Sequence, residues 1–297
     1  MFRVLVMMST YNGEQFLEEQ LQSIVANRNE TLTIEMIVRD DGSSDKTKEI
    51  LDKYKESLNL HYFEGTNLKP AQSFRKLVEI APTGYDAYAY ADQDDIWDKS
   101  KIETAVTALN KYSNNAALWY CGTASIKNGI IVGTWTCKQE RAQSLPALLF
   151  TCSSTNGCTM VFNSNLMKAL KECSPGLVDM HDSWTNLVCL AVGGHVLCEE
   201  KPLVRYRIHD NQVTGKQTRA LRNRLNRMMH PSRLRSKTAK NLLTNGAVVP
   251  EARQIITRCA EYTKWRNKRY ILLSKKPACI SHKEFIKFKV QVLLNAY

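Results

Sequence analysis

The sequence predicts an α/β fold in which helices flank a mixed, mostly parallel sheet, followed by a basic helical region. Strand-like and helix-like segments alternate through the first 125 residues, as parallel strands joined by helices do. Three polar stretches, "STYNG", "RDDGSSD" and "ADQDD", each follow a predicted strand. Of the 297 residues, 43% are hydrophobic, which is enough for one large core or two smaller ones.

The individual elements follow from apolar periodicity and from the turn residues between them. Short apolar runs bounded by turns predict strands, and apolar residues that recur every three or four positions predict helices. Ser44 or Asp45 can cap the second helix, which extends through Leu51. The predicted strands are 2–8, 34–38, 60–63 and 85–91, and the other predicted helices are 16–25, 71–80 and 101–111.

The carboxyl ends of parallel strands meet at one edge of an open sheet, and ligands bind there. We therefore expect the three polar stretches to converge into one site. Between Leu118 and Tyr206 the pattern is less regular, because short apolar runs alternate with turns. One helix, Asp182–Val192, is predicted within this middle part.

Charge divides the chain into two regions. Residues 216–297 contain 20 Lys and Arg against 3 Glu, a net charge of +17, whereas residues 1–215 carry −5. We therefore predict an α/β domain at 1–215 and a basic, mainly helical region at 216–297. An amphipathic cationic helix in this region is predicted from the spacing of Arg219, Arg222, Arg224 and Arg227 with Leu221, Leu225 and Met228.

Several kinds of site and segment are disfavoured by the sequence. No apolar run approaches the roughly 18 residues of a membrane-spanning helix, and the first residues do not have the pattern of a signal peptide. Nine cysteines without a CxxC pair indicate free thiols in a reducing cytosol, not a disulfide framework or a zinc site. Without GxGxxG after the first strand or GxxxxGK[ST], phosphate binding must depend on a metal or on basic side chains.

Four carboxylates, Asp92, Asp94, Asp95 and Asp98, occupy seven positions after the strand predicted at 85–91. In an extended segment, Asp92 and Asp94 point to the same side. Mg²⁺ or Mn²⁺ can hold such a pair ionised while it contacts substrate phosphates. The alternative for a DxD sequence alone is a solvated acidic loop, and Asp98 is assigned to capping the following helix.

Other polar residues near predicted strand ends have two interpretations each. Asp40 or Asp41 can accept a hydrogen bond from the ring N–H of a pyrimidine, or can belong to a capped turn. Tyr11 can stack on a base or close the sheet edge. Asp182 is either a helix cap or a general base. His209 is either a structural histidine or a nitrogen ligand of the kind that Mn²⁺ accepts.

Together, these segments resemble the family 2 glycosyltransferases, which are inverting enzymes of the GT-A fold. Six segments carry the resemblance in order over about residues 3–215: "MSTYNGEQFLEEQLQSI", "IVRDDGSSDKT", "AYADQDDIWDKSKI", "GCTMVFN", "HDSWTNLVCLAVGG" and "RYRIHDNQVTG". The "DQDDIW" and "HDSW" variants look most like bacterial enzymes that build surface polysaccharides, including rhamnosyltransferases.

The resemblance implies a role for each matching position. Asp182 would be the catalytic base, and His181 replaces the acidic residue that usually precedes it. Asp94 would be the more direct metal ligand, with Asp92 nearer the ribose. The nucleotide sugar would be bound by Thr10, Tyr11, Asp40 or Asp41, and Asp92, and Mn²⁺ or Mg²⁺ by Asp92, Asp94 and His209.

The implied activity is transfer of a sugar from a UDP- or dTDP-linked donor, with dTDP-rhamnose among the candidates. The acceptor would be a hydroxyl of a growing, lipid-linked bacterial surface glycan. The basic region could be a solvated surface, or could attach the enzyme to the anionic inner face of the cell membrane from the cytoplasm. Nucleic acid is not expected as a partner, because no recognition motif is present. The alternative function is a non-catalytic protein of this fold that binds membrane or nucleic acid through its basic tail.

Overall fold

One mixed sheet forms the centre of the computed structural model, which describes residues 1–137, 144–151, 155–173, 180–209, 234–277 and 280–295. Its strands are β1 Phe2–Thr10, β2 Leu32–Asp40, β3 Leu60–Glu64, β4 Ala87–Ala91, β5 Ile96–Trp97, β6 Ala117–Lys127, β7 Ile130–Trp135, β8 Val161–Asn163 and β9 His195–Arg207. The order across the sheet is β3-β2-β1-β4-β8-β6-β9-β5, and β7 pairs with β6. The predicted α/β class is therefore confirmed.

The first half of the sheet is parallel, as the alternation of segments predicts. β1 pairs in parallel with both β2 and β4, and β2 pairs in parallel with β3. Val4–Met8 is almost completely buried, because helices cover both faces of the sheet. The helices of this half are α1 Leu17–Val25, α2 Thr47–Lys53, α3 Lys69–Ile80 and α4 Lys101–Asn110.

The strand order brings the polar stretches together. β1 lies between β2 and β4, so the chain reverses its direction of travel across the sheet at β1. Such a switch point leaves a crevice at the carboxyl ends of the strands. The register places Thr10 beside Asp40, and Met8 beside Ala91, the residue that precedes the acidic cluster.

The middle of the chain is more regular than its sequence indicates. β6 and β9 are long strands that pair in parallel, where we expected short apolar runs and turns. The signal is weak because β9 contains Glu199, Glu200, Lys201 and Pro202, and its register with β6 shifts near Gly122. Around this pair lie α5 Leu145–Thr151, a 3₁₀ turn at Gly157–Thr159, α6 Ser164–Glu172 and α7 His181–Ala191.

Four helices of the basic region pack onto the rest of the protein. Their buried residues, such as Leu242, Ile256 and Phe288, belong to the same apolar cluster as Leu5 and Met7 of β1. Within the described residues, no helix is both long enough and apolar enough to cross a bilayer. The helix predicted around 219–228 and the boundary predicted at 215 lie outside these residues. The four helices are α8 Leu234–Leu243, α9 Pro250–Ala260, α10 Trp265–Leu273 and α11 His282–Leu293.

Two cysteines depart from the expectation of free thiols. Cys137 and Cys198 form a disulfide, with Cα atoms 6.2 Å apart. They are 61 residues apart in the chain, so the spacing of the cysteines does not indicate the pair. The antiparallel return of β7 along β6, and the pairing of β6 with β9, bring them together. The described cysteines that remain free are all buried: Cys121, Cys158, Cys173, Cys189 and Cys259.

Candidate active site

A cavity of about 560 Å³ opens at the carboxyl ends of β1 and β4. It collects side chains from all three polar stretches, as the sequence predicts, and from two segments much later in the chain. The candidate functional residues on its walls are Thr10, Tyr11, Asp41, Asp92, Asp94, Asp182 and His209, accompanied by Gln93, Phe74, Gly157 and His181.

Asp40 and Asp41 are adjacent but occupy different environments. Asp40 is fully buried, where Thr10 Oγ1 donates to its Oδ1 over 2.9 Å and the Ser43 amide donates to its Oδ2 over 2.8 Å. Asp41 lies on the cavity wall, paired with the buried Arg39 guanidinium. The Ser73 hydroxyl also donates to Asp41 Oδ1, over 3.0 Å. The Leu68 amide donates to the other Asp41 oxygen, Oδ2, over 2.9 Å. Asp40 thus organises the turn after β2, while Asp41, although also buried, lines the cavity.

Tyr11 is held by its backbone while its side chain is 49% exposed. Its amide donates to Gln93 Oε1 over 2.9 Å, and Gln93 Nε2 donates back to the Tyr11 carbonyl over 3.2 Å. Gly13 permits this pairing, because a Cβ at that position would lie 2.6 Å from Gln93 Oε1. The exposed ring on a fixed backbone is suited to stacking on a planar ligand.

Asp94 contacts His209, which belongs to a much later segment of the chain. His209, two residues after the end of β9, places its Nε2 atom 2.7 Å from Asp94 Oδ2, and both side chains are partly buried. Arg207 holds this segment in place: its Nε donates to the Asp94 carbonyl over 2.9 Å, and its amide donates to Asp95 Oδ1 over 3.1 Å. Arg207 was not among the residues predicted from the sequence. The sequence feature that could have indicated it is its position two residues before His209, in a stretch with the alternating pattern of a strand.

Behind the cavity wall lies a buried charged cluster. Asp95 is fully buried beside Asp92 and Cys158, and ligand-type atoms of the three lie within 4.8 Å of one another. Burial, together with the neighbouring carboxylates, raises the pKa of Asp92 well above its usual value and that of Asp95 to about 7. Lys101 is also fully buried, and its Nζ donates to the Cys158 carbonyl over 2.7 Å. Burial lowers the pKa of this amine to about 8.

These groups fit a divalent cation on the cavity side of the cluster. Asp92 and Asp94 supply carboxylate oxygens and His209 an imidazole nitrogen, a donor set that suits Mn²⁺. One oxygen of the buried Asp95 has no hydrogen-bond partner in the described structure, and the raised pKa values of Asp92 and Asp95 show that the protein itself stabilises their ionised forms poorly. Cys158 and Asp95 are fully buried and do not line the cavity, so we favour the Asp92, Asp94 and His209 side.

Asp98, the last of the four carboxylates after β4, lies apart from this site. It is exposed, and its Oδ1 accepts hydrogen bonds from the Ser100 amide (2.9 Å) and hydroxyl (2.6 Å) just before α4 begins at Lys101. Asp45 has a similar role at the start of α2, where its Oδ1 accepts from the Thr47 amide over 3.0 Å. Each side chain accepts one backbone N–H bond near a helix start, but neither is the N-cap residue that was predicted: those residues are Ser100 and Lys46.

Asp182 reaches the cavity from the first turn of α7. It is buried but lines the cavity, and the Ser183 amide donates to its Oδ1. The free N–H groups of a helix start stabilise a carboxylate there. The preceding His181 is buried and stacks on Phe74 with ring centroids 4.0 Å apart. Burial lowers the pKa of His181 to about 3, so its ring is neutral.

The His181 ring fits against the 3₁₀ turn because Gly157 has no side chain. A Cβ at position 157 would lie 2.3 Å from His181 Nε2, closer than any side chain tolerates. Neither ring nitrogen of His181 has a hydrogen-bond partner within the described structure. The ring is therefore located by packing between Gly157, Phe74 and Tyr90. The sequence gives no sign of this contact, because it depends on tertiary packing.

Comparison with known proteins relates this arrangement to sugar transfer. Residues 5–156, about half of the chain, match the family model "Glycosyl transferase family 2". The dTDP-rhamnosyl transferase RfbG of Shigella flexneri is 27% identical over 229 residues, which span 70% of this chain and 73% of that protein. The glucosyltransferase WfgD of Escherichia coli, which acts on α-D-GlcNAc-diphosphoundecaprenol with UDP-Glc, is 28% identical over 171 residues, 56% of this chain and 62% of that protein.

A solved structure has the same fold. The Staphylococcus aureus TarS fragment 1–349, in complex with UDP-GlcNAc, superimposes with a TM-score of 0.60 at 18% sequence identity, over 98% of this chain and 81% of that one. The likeness extends through the helices of the basic region, which the family model does not reach. The family match includes β4 and the DxD segment and, with them, the cavity residues up to Asp94, whereas Asp182 and His209 lie beyond it. The chain therefore belongs to glycosyl transferase family 2.

Proposed function

We propose that this protein is a metal-dependent inverting glycosyltransferase, which moves a sugar from a UDP- or dTDP-linked donor to a hydroxyl of a bacterial surface glycan. The observation that carries the proposal is that three kinds of side chain suited to sugar transfer line one cavity. An exposed aromatic ring, a carboxylate–imidazole pair and a helix-start carboxylate all line it: Tyr11, the Asp94–His209 pair and Asp182.

The nucleotide would occupy the part of the cavity between β1 and β2. Tyr11 is positioned to stack on the base, and Asp41 offers a carboxylate on the same wall. Thr10 lines the wall but its hydroxyl donates to Asp40, so it supports the turn more than the ligand. We therefore assign base recognition to Asp41 and a supporting role to Asp40.

The diphosphate would lie over Asp92, Asp94 and His209. A bound Mn²⁺ or Mg²⁺ would offset the negative charge that develops on the departing nucleoside diphosphate. The protein's own contribution is to hold the two ligand side chains together: Arg207 fixes the backbone of both the Asp94 loop and the end of β9. Lys101, buried behind the carboxylates, reduces their mutual repulsion.

Asp182 would act as the general base. An acceptor hydroxyl loses its proton to the Asp182 carboxylate as the oxygen attacks the anomeric carbon from the face opposite the leaving diphosphate. Single displacement inverts the anomeric configuration and forms no covalent enzyme intermediate. Asp182 lies in the first turn of α7, where the N–H groups of a helix start stabilise a carboxylate.

The relatives support a narrower choice of substrates. Likeness to a dTDP-rhamnosyl transferase supports dTDP-rhamnose as a donor to test first. Likeness to an enzyme that acts on a diphosphoundecaprenol-linked sugar supports a lipid-linked acceptor, reached at the inner face of the cell membrane. The rival function is a protein of this fold that binds nucleotide sugars without turnover and docks through its basic region.

A donor panel tests the proposal. The purified protein is incubated with UDP- and dTDP-sugars, with and without Mn²⁺ and a lipid-linked acceptor, and nucleoside diphosphate release is measured. We expect metal-dependent release from one donor, abolished in Asp94→Ala and strongly reduced in Asp182→Asn. Tight nucleotide binding without turnover for any donor in the presence of acceptor would favour the rival, non-catalytic function.

A further inference from the structure

The outer surface of α10 and α11 has an unusual composition that the active site does not explain. Between residues 262 and 295 the chain contains nine Lys and Arg and one acidic residue, Glu284. That carboxylate is engaged in a capping box with Ser281 at the start of α11. The surface is therefore strongly cationic, yet it also exposes large apolar side chains.

Helix α11 is apolar on two separate faces. Its inner face is buried through Phe285, Phe288 and Val292, and Phe288 stacks on Phe150 of α5 at 4.4 Å between ring centroids. Ile286, Val290 and Leu293 recur at four- and three-residue steps, so they form a separate stripe. Together with Leu294, these side chains are 44–56% exposed. A helix that packs on one side only would carry polar residues along such a stripe.

Helix α10 extends the same kind of surface. Trp265 and Leu273 are each 72% exposed, and Arg266 and Arg269 are exposed beside them. Lys268 Nζ donates to the Leu293 carbonyl over 2.9 Å, which brings the end of α11 to the first turn of α10. Between α10 and α5 runs an open groove of about 510 Å³. Its walls combine basic and apolar side chains: Arg266, Arg269, Tyr270, Leu273 and Lys275 with Pro146, Phe150 and Ile255.

We propose that the outer surface of α10 and α11 docks on an anionic lipid bilayer. The aliphatic and indole side chains enter the region between headgroups and acyl chains, and the surrounding lysines and arginines bind lipid phosphates. This surface would be the part of the glycosyltransferase that makes the proposed membrane association, and its purpose rests on that proposed function. Lipid binding itself does not depend on turnover, so the two can fail separately.

Charge distinguishes a bilayer from other occupants of this surface. A second copy of the chain would bring two strongly cationic surfaces together, and like charges that close repel. A nucleic acid would match the positive charge but would leave the aliphatic stripe of α11 in water. An anionic bilayer complements both properties, since its phosphates are negative and its interior is apolar.

The docking surface is connected to the proposed base by continuous packing. Helix α11 packs on α5 through Phe288 and Phe150, and α5 packs in turn on α7. Asp182 lies in the first turn of α7. The surface and the base thus belong to one packed helical layer. Docking would hold the base at a fixed distance from the membrane, where a lipid-linked acceptor is found.

Vesicle co-sedimentation of the full chain tests this surface. The lipids are phosphatidylcholine alone, and phosphatidylcholine mixed with phosphatidylglycerol. One variant combines Ile286→Ser, Val290→Ser and Leu293→Ser, and a second combines Arg266→Gln with Arg269→Gln. The matched control combines Ile131→Ser with Val132→Ser, which removes exposed apolar side chains from the β7 hairpin instead.

We expect the wild type and the β7 control to sediment with the anionic vesicles and not with phosphatidylcholine alone. Each docking-surface variant should lose more than about tenfold in lipid affinity, because binding scales with the inserted apolar area and with basic charge. Failure of the wild type to bind, unchanged binding by both variants, or loss in the β7 control alone would overturn the proposal.

Nucleotide binding and donor turnover separate this proposal from the proposed function. All of the substituted side chains are exposed and none of them lines the cavity, so the variants should bind nucleoside diphosphate and melt as the wild type does. Turnover with a water-soluble acceptor, together with absent vesicle binding, would exclude the docking surface and leave the enzyme assignment intact. Vesicle binding without turnover on any donor would support the docking surface and exclude the enzyme assignment.

Discussion

His209 Nε2 lies 2.7 Å from Asp94 Oδ2, although 115 residues separate them in the chain. The contact joins the loop after β4 to the segment after β9, and these strands are not neighbours in the sheet. Arg207 makes the approach possible, because its side chain and amide bind the backbone of Asp94 and the side chain of Asp95. The protein therefore brings a carboxylate and an imidazole together from two strands that are not neighbours in its sheet.

Substitution of His209 by Ala should weaken divalent metal binding without unfolding the protein. Loss of an outer-shell partner alone typically costs about 10–100-fold in metal affinity, so loss of a ligand should cost at least as much. The Mn²⁺ concentration that gives half-maximal nucleoside diphosphate release should rise by more than about tenfold. A metal titration of the wild type and of His209→Ala measures the difference.

Asp98→Asn is the matched control for the metal site. It removes one carboxylate from the same acidic cluster, but Asp98 is exposed and bonded to Ser100 at the start of α4. Its metal dependence should equal that of the wild type. Equal effects of Asp98→Asn and His209→Ala would mean that the cluster acts only through its total charge, and would contradict a defined ligand set.

Asp182→Asn should reduce turnover while it preserves donor binding. The amide fits the same space in the first turn of α7 but cannot accept the acceptor's proton. General-base catalysis contributes about 10²–10⁴-fold, so kcat should fall within that range. The affinity for nucleoside diphosphate, measured by calorimetry, should change little. A parallel loss of binding and turnover would indicate that Asp182 supports the cavity and does not act as a base.

Tyr11→Ala should weaken nucleotide binding, and Tyr11→Phe should not. Stacking of a base on an aromatic ring is worth about 1–3 kcal/mol, which corresponds to a loss of roughly 5–150-fold in affinity. Because the ring is 49% exposed, its removal should leave the melting temperature almost unchanged. Equal nucleotide affinity in both variants would show that the ring does not stack on the base.

The parallel part of the fold could be predicted from the sequence because each strand there is bounded by clear turn residues. β1, β2, β3 and α3 lie within a few residues of their predicted bounds. The convergence of the three polar stretches follows from this alternation alone, since parallel strands place their carboxyl ends at one edge. The family resemblance added Asp182 and His209, which no local pattern distinguishes from a helix cap and a surface histidine.

What could not be predicted depends on contacts between distant segments. Lys101 has the appearance of an ordinary first residue of a helix, yet it is fully buried behind Asp92 and Asp95. Pro202 and the charges around it conceal β9, whose pairing with β6 is set by the whole sheet. Asp40 and Asp41 have the same residue type and adjacent positions, and only the register at the end of β2 separates their environments.

Gly157→Ala should destabilise the protein and reduce turnover together. The added Cβ would lie 2.3 Å from His181 Nε2, and the ring can move away only by disturbing its packing against Phe74 and Tyr90. Overpacking of this kind costs about 1–3 kcal/mol in the free energy of unfolding. Displacement of His181 would also shift Asp182. Chemical denaturation and donor turnover of the same variant measure the two effects.

Two further variants define the cause of that loss. Gly133→Ala is the control, because a Cβ there meets no atom within 4 Å, and its stability should match the wild type. In a Gly157→Ala, His181→Ala double variant the clash is absent, so the two losses should be less than additive. Strict additivity would mean that the Gly157 effect arises from its backbone and not from the imidazole.

The neutral, buried state of His181 should make stability depend on pH. Burial lowers the pKa of His181 to about 3 in the folded protein, whereas in the unfolded chain it titrates near 6.5. As the pH falls below 6.5, the unfolded state takes up a proton that the folded state cannot bind until about pH 3, so acid favours unfolding. The contribution approaches about 1.4 kcal/mol per pH unit within this window.

Urea unfolding between about pH 7 and 4.5 measures the slope of the free energy of unfolding against pH. This slope should be shallower for His181→Gln than for the wild type, because glutamine does not titrate. His61→Gln, on the exposed side of β3, should retain the wild-type slope. Parallel slopes for all three proteins would show that the His181 ring is protonated, or exposed, in the folded state.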